Sequence, residues 1–268
     1  MKITFLGSGN IAQAIMKGLI ANGISVSQIT AADPNKAAKD QTGKLGVNIT
    51  ADNQAAVEWA DVIVISVKPN VVTEITREIA DIINEKLVIS VAAGITCQTL
   101  QDSLGSTAHV IRCMPNTPAQ IQSGITGLFA TSIISAEEQK VAEQILGAVG
   151  KYIWVKEETE LHAVTAISGS GPAYFFYIIE ALQKAATQLG LSEDLARLLV
   201  IETAIGASKM TLAEETKTAE QLRREVTSPG GTTAAAINIL EEGDLVGLMS
   251  RAVCSANARS IELAQDIS

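Results

Sequence analysis

Six residues near the start of the chain, Gly7-Ser8-Gly9-Asn10-Ile11-Ala12, have the glycine spacing of a dinucleotide-binding loop. An apolar run, Ile3–Leu6, precedes them and a helical pattern follows. Gly7 would permit a tight turn, Gly9 would let the backbone approach a pyrophosphate, and Ala12 would let the helix pack closely on the sheet. The helix amides could then bind the phosphates. An ordinary glycine turn is the alternative, but the flanking elements favour nucleotide binding.

The coenzyme preference depends on residues after the second predicted strand. Asp33 stands where an acidic side chain would accept a hydrogen bond from the 2′-hydroxyl of the adenosine ribose, which favours NAD. Asn35, Lys36 and Asn53 are also close to the predicted site and could bind a 2′-phosphate, which would favour NADP. The sequence leaves both coenzymes open.

Three further segments at the ends of predicted strands are rich in small or turn-forming residues. They are Ser66-Val67-Lys68-Pro69, Ala92-Ala93-Gly94 and Met114-Pro115-Asn116-Thr117-Pro118. Ligands of a doubly wound sheet bind outside the carboxyl ends of its strands. Each segment alone could be a strand-ending turn, but three of them at three strand ends favour a coenzyme groove.

Two segments in the second half place glycine and hydroxyl residues just before a helix. They are Ser168-Gly169-Ser170-Gly171-Pro172 and Ser228-Pro229-Gly230-Gly231-Thr232-Thr233. Free amides and hydroxyls at a helix N-terminus can bind a carboxylate. Serine and threonine are also favoured N-caps, and the segment that begins at Ser228 fits both interpretations equally well.

No metal site is predicted. His162 follows Glu158 by four residues, which could suggest a pair of ligands, but no third ligand accompanies them. The three cysteines, Cys97, Cys113 and Cys254, are widely spaced. They predict reduced, buried thiols rather than disulfides or a zinc site.

The elements that must position these residues differ between the two halves of the chain. In the first half, short runs that are apolar on both faces alternate with helical patterns, which predicts a parallel sheet covered on each side. The second half contains helical patterns only. We predict an α/β fold, with an N-terminal Rossmann-type doubly wound sheet in residues 1–159 and a C-terminal all-α domain for substrate binding and dimerisation in residues 160–268. The predicted strands are Ile3–Leu6, Ile29–Ala32, Val47–Ile49, Val62–Val67, Leu87–Val91, Val110–Cys113 and Tyr152–Val155.

Composition narrows the classes of protein. The net charge of −9 argues against nucleic-acid binding, which needs lysine and arginine to displace counterions. The longest apolar runs are shorter than the roughly 18 residues of a membrane span, and the first residues do not resemble a signal peptide, so the cytoplasm is the expected location. The Ala-rich helices of the second half have more apolar surface than a small domain can bury, which predicts at least a homodimer.

Together these motifs resemble those of the pyrroline-5-carboxylate reductases, over essentially the whole chain. The segment Val226–Thr233 is the most specific of them, and Ser168–Tyr174 and the glycine loop also match. The resemblance implies reduction of 1-pyrroline-5-carboxylate to L-proline, the last step of proline biosynthesis, with NADPH or NADH as coenzyme. It also implies an intertwined dimer of helical domains, often assembled into larger rings.

The resemblance also implies site residues. Thr233 is expected to hydrogen-bond the ring nitrogen and is the implied catalytic residue. Ser228, Thr232 and the backbone near Gly230 and Gly231 are expected to hold the substrate carboxylate. The implied coenzyme contacts are Leu6, Gly7, Ser8, Gly9, Asn10, Ile11, Asn53, Val67, Lys68, Pro69, Ala92, Ala93 and Gly94.

Glu158 matches a glutamate that precedes the helical domain in the family and is the further implied substrate residue. Three positions depart from the family's commoner residues. Ser8 and Ile11 replace glycine or cysteine and methionine in the glycine loop. Asp33 stands where members often carry a hydroxyl residue, and this departure bears on the preference for NADPH.

Two other functions fit parts of the pattern. A hydroxyacid dehydrogenase of related architecture would need a basic lysine early in the helical domain. Residues 168–183 contain no lysine, and Lys184 is the first, which favours reduction of an imine. A non-enzymatic redox sensor that binds NADP would not need the Ser228–Thr233 segment.

Overall fold

The computed structural model describes residues 1–267, and its strands form one sheet. The strands are β1 (Ile3–Leu6), β2 (Ile29–Ala32), β3 (Asn48–Thr50), β4 (Val62–Ile65), β5 (Leu87–Ser90), β6 (His109–Met114), β7 (Gly124–Ala130) and β8 (Gly150–Trp154). Their order is β3-β2-β1-β4-β5-β6-β7-β8. Strands β1 to β6 pair in parallel, whereas β7 is antiparallel to β6 and parallel to β8. The Rossmann-type sheet that the sequence predicts is confirmed.

Helices cover the sheet and make up most of the second half. Those of the first half are α1 (Asn10–Ala21), α2 (Lys36–Gly43), α3 (Asn53–Trp59), α4 (Pro69–Ile79), α5 (Cys97–Leu104) and α6 (Ala136–Gly147). The second half has α7 (Glu160–Val164), α8 (Gly171–Gln188), α9 (Glu193–Ala213), α10 (Ala219–Glu225), α11 (Thr232–Glu242) and α12 (Leu245–Ile267). A π-helical segment, Thr165–Gly169, lies between α7 and α8.

The central strands are buried on both faces because alternate side chains enter two apolar clusters. Phe5 and Val64 point to one face, where α1 and α6 supply Ile15 and Ile145. On the other face, Leu6 belongs to a cluster to which α3, α4 and α5 contribute. Burying each large apolar side chain stabilises the fold by about 1.5–3 kcal/mol, so the sheet is a firm base for the loops at its ends.

Among the strands, β7 is the one that the sequence analysis did not predict. Its two glycines, Gly124 and Gly127, weaken the local strand signal, and its partner β6 is antiparallel to it. Both glycines are needed for space. A Cβ on Gly124 would lie 3.0 Å from the backbone of Ala119, and one on Gly127 would lie 2.8 Å from Val164. Pairing with β6 therefore determines this strand, and local propensity does not.

The chain forms two compact units. One comprises Met1–Ser170 with the C-terminal segment from Ser255, and the other comprises Gly171–Cys254. Helix α7 and the π-helical segment belong to the compact unit that contains the sheet. This division by compactness is not a test of domain organisation, so the domain boundary between residues 159 and 160 stays a prediction.

The helical unit exposes many large apolar side chains. Phe175, Phe176 and Tyr177 are each more than 60% exposed. Cys97 and Cys113 are buried as predicted, but the prediction for Cys254 was wrong: it is exposed, because it lies on a helix of this thinly covered unit. Within residues 1–267, the helices are all too short or too polar to cross a membrane.

Candidate functional site

The glycine loop between β1 and α1 is tightly held at Gly7. This residue has a φ of 93°, and a Cβ on it would lie 2.8 Å from Cγ1 of Val67 and 3.0 Å from the backbone of Ser66. Its amide donates to the carbonyl of Ala32 at the end of β2, at 2.8 Å. The position requires glycine for its conformation and for its space. The loop is thereby fixed against the ends of two other strands.

The N-terminus of α1 is exposed to solvent at Gly9 and Asn10. Gly9 is its N-cap, and in the described chain no side chain caps its first amides. A Cβ built on Gly9 meets nothing within 4 Å, so space for a ligand lies directly beside the backbone. Free amides and the positive end of the helix dipole can bind a pyrophosphate there.

A groove of about 480 Å³ lies beside this loop. It is at the carboxyl ends of β1 and β4, where the strand order reverses, and this is where doubly wound sheets bind nucleotides. Of the predicted coenzyme residues, six line the groove: Gly7, Ser8, Gly9, Asn53, Val67 and Lys68. Further lining residues include Asp33, Asn35, Ser66, Glu74 and Glu78.

The other predicted coenzyme residues are not among those that line the groove. Leu6 is fully buried at the end of β1, and Asn10 and Ile11 begin α1. Pro69 is the first residue of α4. Ala92, Ala93 and Gly94 form the turn after β5.

Two side chains that line the groove, those of Asp33 and Asn53, already have partners. Oδ2 of Asp33 accepts from the amide and the hydroxyl of Ser8, at 2.8 and 2.9 Å. Asn53 donates from Nδ2 to Oε2 of Glu78, at 2.8 Å. Two of the residues that depart from the family's commoner pattern, Ser8 and Asp33, therefore contact each other.

The turn after β5 is packed by the C-terminal segment of the same unit. Gly94 has a φ of 77°, and a Cβ on it would lie 3.6 Å from the carbonyl group of Leu263 in α12. One turn earlier, the Ser260 hydroxyl lies 3.0 Å from Nδ1 of His162. Burial, together with the nearby Arg112 cation, lowers the pKa of His162. The end of α12 thus helps to position the Ala92–Gly94 turn.

Glu158 joins three separate elements. Its Oε1 accepts from Nη1 of Arg112 on β6 and from the amide of Cys97 at the start of α5, both at 2.8 Å. Arg112 is only 4% exposed, so Glu158 neutralises a buried cation. Burial, with the Glu158 carboxylate, raises the pKa of the Cys97 thiol to about 12, which keeps this thiol protonated.

Asn116 joins the Met114–Pro118 segment to the π-helical segment. Its Nδ2 donates to the carbonyl of Ser168 at 3.1 Å, and its Oδ1 accepts from the amide of Ile125 at 3.0 Å. Gly169 lets the side chain of Met114 approach, since a Cβ there would lie 2.7 Å from its Cε. Segments of π-helix are frequent at functional sites.

The Ser228–Thr233 segment forms a turn before α11 in the helical unit. Gly230 has a φ of 73°, and the amide of Gly231 donates to the carbonyl of Ser228 at 3.0 Å. Gly231 is the N-cap of α11, and within the described residues no side chain caps this helix. The N-cap interpretation of its hydroxyl residues is therefore wrong. Helices α9 and α10 of the same unit are capped by side chains, those of Ser192 and Thr218.

This turn leaves its hydroxyls accessible. Ser228 and Thr232 are exposed, and Thr233 is partly buried at the second position of α11. First-turn amides and hydroxyls at one helix start can bind a carboxylate.

Sequence reasoning missed Arg112 and the groove carboxylates Glu74 and Glu78. The signal for Arg112 was present, because a charged residue inside the apolar strand His109–Met114 needs a partner. Glu74 and Glu78 are four residues apart on α4, which is an ordinary spacing for the face of a helix, and nothing in it points to a ligand.

Comparison with known proteins identifies the family. Residues 158–263 match the model for pyrroline-5-carboxylate reductase dimerisation, and residues 2–94 match that for NADP oxidoreductase, coenzyme F420-dependent. The chain is 42% identical to a pyrroline-5-carboxylate reductase of Pseudomonas aeruginosa, over 99% of this chain and 98% of that one.

Solved structures agree over nearly the whole length. A pyrroline-5-carboxylate reductase from Coxiella burnetii is 44% identical, with a TM-score of 0.92 and 98% of each chain covered. A Plasmodium falciparum pyrroline carboxylate reductase with NADP bound is 29% identical, with a TM-score of 0.90 and the same coverage. This chain belongs to the pyrroline-5-carboxylate reductase family.

Proposed function

We propose that this protein reduces 1-pyrroline-5-carboxylate to L-proline with NADPH or NADH, the last step of proline biosynthesis. The observation that carries the proposal is the start of α11, where a glycine N-cap without a side-chain cap is followed by two threonines. Family membership, through relatives named pyrroline-5-carboxylate reductase, supports the same reaction.

The groove beside α1 fits a nicotinamide dinucleotide. Its uncapped amides and the empty space beside Gly9 suit a pyrophosphate, and Asp33 suits a ribose hydroxyl. When bound, the coenzyme supplies the hydride. We propose that the predicted residues outside the groove, Leu6, Asn10, Ile11, Pro69 and the Ala92–Gly94 turn, complete the coenzyme site.

The turn before α11 is the proposed substrate site. The amides near Gly230 and Gly231, with the hydroxyls of Ser228 and Thr232, would hold the carboxylate. The protonated ring nitrogen would donate to Oγ1 of Thr233, which we propose as the catalytic residue. A protonated imine already accepts a hydride readily, so the residues need chiefly to orient it.

Glu158 is the remaining proposed substrate residue. Its Oε1 is occupied by Arg112 and Cys97, so any role of the carboxylate toward the substrate is combined with a structural one. We propose that it also serves the substrate, in keeping with the family resemblance, while it positions α5 and the segment that leads into α7.

The proposed assembly is a homodimer or a larger homo-oligomer. The match to a dimerisation model and the exposed apolar helices of the second unit support it. The net charge of −9 supports our proposal that nucleic acid is not a partner. The cytoplasm stays the predicted location, and cell fractionation would test it.

The function is tested with purified protein, NADPH or NADH, and 1-pyrroline-5-carboxylate. We expect a decrease of absorbance at the coenzyme's near-ultraviolet band that depends on the substrate, with proline formed in equal molar amount. A hydroxyacid substrate with the oxidised coenzyme is the matched control for the rival dehydrogenase. Coenzyme binding without turnover of 1-pyrroline-5-carboxylate would contradict the proposal.

The structure offers no support for the rival dehydrogenase. Lys184, the first lysine of the helical unit, is exposed on α8 and pairs with Glu180 one turn earlier. It already has an ion-pair partner, as expected for a surface lysine and not for a general base.

A further inference from the structure

We infer that Asp33 sets the balance between the two coenzymes, by weakening the binding of NADPH relative to NADH. The inference rests on the proposed binding of a nicotinamide dinucleotide in the groove beside α1. Both coenzymes would serve the reaction, and Asp33 would favour the one without a 2′-phosphate.

The Asp33 carboxylate is fixed in the groove by three hydrogen bonds. Its Oδ2 accepts from the amide and hydroxyl of Ser8, and its Oδ1 accepts from the amide of Asn35 at 2.8 Å. Ser8 is only 1% exposed, so two of the three donors that hold the carboxylate belong to a buried residue of the glycine loop. The carboxylate therefore cannot turn away from a ligand without losing these bonds.

The location of Asp33 is the one at which a dinucleotide's adenosine ribose is recognised. It follows the last residue of β2 directly and lines the groove together with Gly7 and Gly9. A carboxylate at this point accepts a hydrogen bond from the 2′-hydroxyl of NADH. NADPH carries a phosphate on the same oxygen, and it has no hydroxyl there to donate.

The charges that line the groove oppose an additional phosphate on the ribose. Asp33, Glu74 and Glu78 all line it, and Lys68 is the one cation among the described residues that do so. A phosphate monoester carries about −1.5 to −2 charges at neutral pH, so the carboxylates that line the groove would repel the 2′-phosphate. Repulsion between like charges in a partly enclosed groove is stronger than in bulk water.

The groups that a 2′-phosphate would need are already engaged. The amides of Ala37 and Ala38, at the start of α2, donate to Oδ1 of Asn35. The side-chain amide of Asn53 donates to Glu78. Lys36 is exposed and does not line the groove.

Binding measurements on the purified full chain test the inference. Dissociation constants for NADH and NADPH are measured by fluorescence titration without substrate. Two fragments, 5′-AMP and adenosine 2′,5′-bisphosphate, which differ only in the 2′-phosphate, are measured by calorimetry. We expect the wild-type protein to bind NADH at least about tenfold more tightly than NADPH, since hydrogen bonds to charged groups are worth roughly 10- to 150-fold in affinity.

Variants separate Asp33 from the general charge of the surface. Asp33→Ser should reduce the NADH-to-NADPH preference at least about tenfold, and Asp33→Asn, which keeps the shape, should act in the same direction. Asp40→Asn removes one negative charge from the exposed face of α2 and should leave the ratio unchanged. Melting temperatures show that each variant is folded.

The outcomes distinguish this inference from the proposed function. Equal binding of NADH and NADPH by the wild-type protein, or tighter binding of NADPH, would overturn the inference alone. An unchanged ratio in both Asp33 variants would also overturn it. If neither coenzyme nor either fragment bound, the proposed function would fall together with it.

Discussion

Helices α1 and α11 begin with the same backbone arrangement, but the side chains next to the two helix starts differ. Each helix has a glycine N-cap and no side-chain cap within the described residues. Each is approached through a glycine with positive φ, Gly7 at 93° and Gly230 at 73°. The free amides at the start of either helix can therefore bind an anion, and the adjacent side chains determine which anion binds.

The neighbours of the two helix starts differ in chemistry and in anchoring. Beside α1 stands the carboxylate of Asp33, and Gly7 is held by contacts with the ends of β2 and β4. Beside α11 stand hydroxyls, and the amide of Gly231 is bonded to Ser228 of the same turn. We therefore expect changes at Gly7 to affect folding and binding together, and changes at the α11 turn to affect the reaction alone.

The largest expected effect is that of Gly7→Ala. The methyl group would approach Val67 to 2.8 Å and the backbone of Ser66 to 3.0 Å, in a conformation that costs alanine about 1–2 kcal/mol. With the strain of overpacking, we expect a loss of about 2–5 kcal/mol in the free energy of unfolding. Displacement of the loop should weaken coenzyme binding roughly a hundredfold.

Gly9→Ala is the matched control for this comparison. Its methyl group meets no atom of the chain within 4 Å, so the free energy of unfolding should stay within about 0.5 kcal/mol of the wild-type value. Coenzyme affinity should still fall, because the methyl group would occupy the proposed path of the pyrophosphate. Urea denaturation and coenzyme titration on both variants measure the two effects. Equal stability losses in the two variants would contradict the anchoring described for Gly7.

These glycines also indicate how much the sequence could predict. The spacing from Gly7 to Ala12, between an apolar strand and a helix, was enough for the sheet and the glycine loop. Sequence spacing gave no indication of Glu74 and Glu78 as lining residues, because the folded path of α4 brings them there. Strand β7 was missed for a similar reason, since pairing with β6 overrides its two glycines.

The next largest effect is expected for Thr233→Ala. If Oγ1 accepts from the protonated ring nitrogen, removing it should lower kcat/KM roughly 10- to 150-fold, equivalent to about 1.5–3 kcal/mol. The melting temperature should not change, because the Thr233 hydroxyl does not cap α11. Coenzyme affinity should not change either, since the glycine loop belongs to the other compact unit.

Thr211→Ala is the control for Thr233→Ala. Its hydroxyl bonds a carbonyl of its own helix, α9, at an exposed position, so kinetics and stability should both stay near the wild-type values. Steady-state kinetics, coenzyme titration and thermal unfolding are measured on one preparation of each variant. A folded Thr233→Ala enzyme with unchanged kcat/KM would refute the catalytic role.

A smaller effect on stability is expected for Glu158→Gln. This variant also tests the proposal that Glu158, a residue of the unit that contains the sheet, serves the substrate. The amide oxygen can still accept from the amide of Cys97, but Arg112 loses its counter-charge. Because the Glu158 side chain is 23% exposed, we expect a loss of about 1–3 kcal/mol in the free energy of unfolding. If Glu158 is only structural, KM for the substrate and kcat measured on folded enzyme will match the wild-type values.

The smallest expected effect is a pH dependence from His162 on α7, whose Nδ1 lies 3.0 Å from the hydroxyl of Ser260 on α12. Burial and the Arg112 cation lower the pKa of His162 below its ordinary value of 6.5. The unfolded chain therefore takes up a proton at a higher pH than the folded protein does. The stabilising contribution is complete above about pH 6.5 and is lost as the pH falls toward the lowered pKa of the folded state.

His162→Gln removes the titrating group and keeps a side chain that can bond the Ser260 hydroxyl. The free energy of unfolding is measured by urea denaturation from pH 5 to pH 8 at constant ionic strength. We expect the difference between wild type and variant to shift in favour of the variant as the pH falls below about 6.5. The other histidine, His109, is present in both proteins, so this difference reports on His162. Parallel pH curves for the two proteins would show that His162 titrates alike in the folded and unfolded chains. The contact between Ser260 and His162 would then make no pH-dependent contribution to the free energy of unfolding.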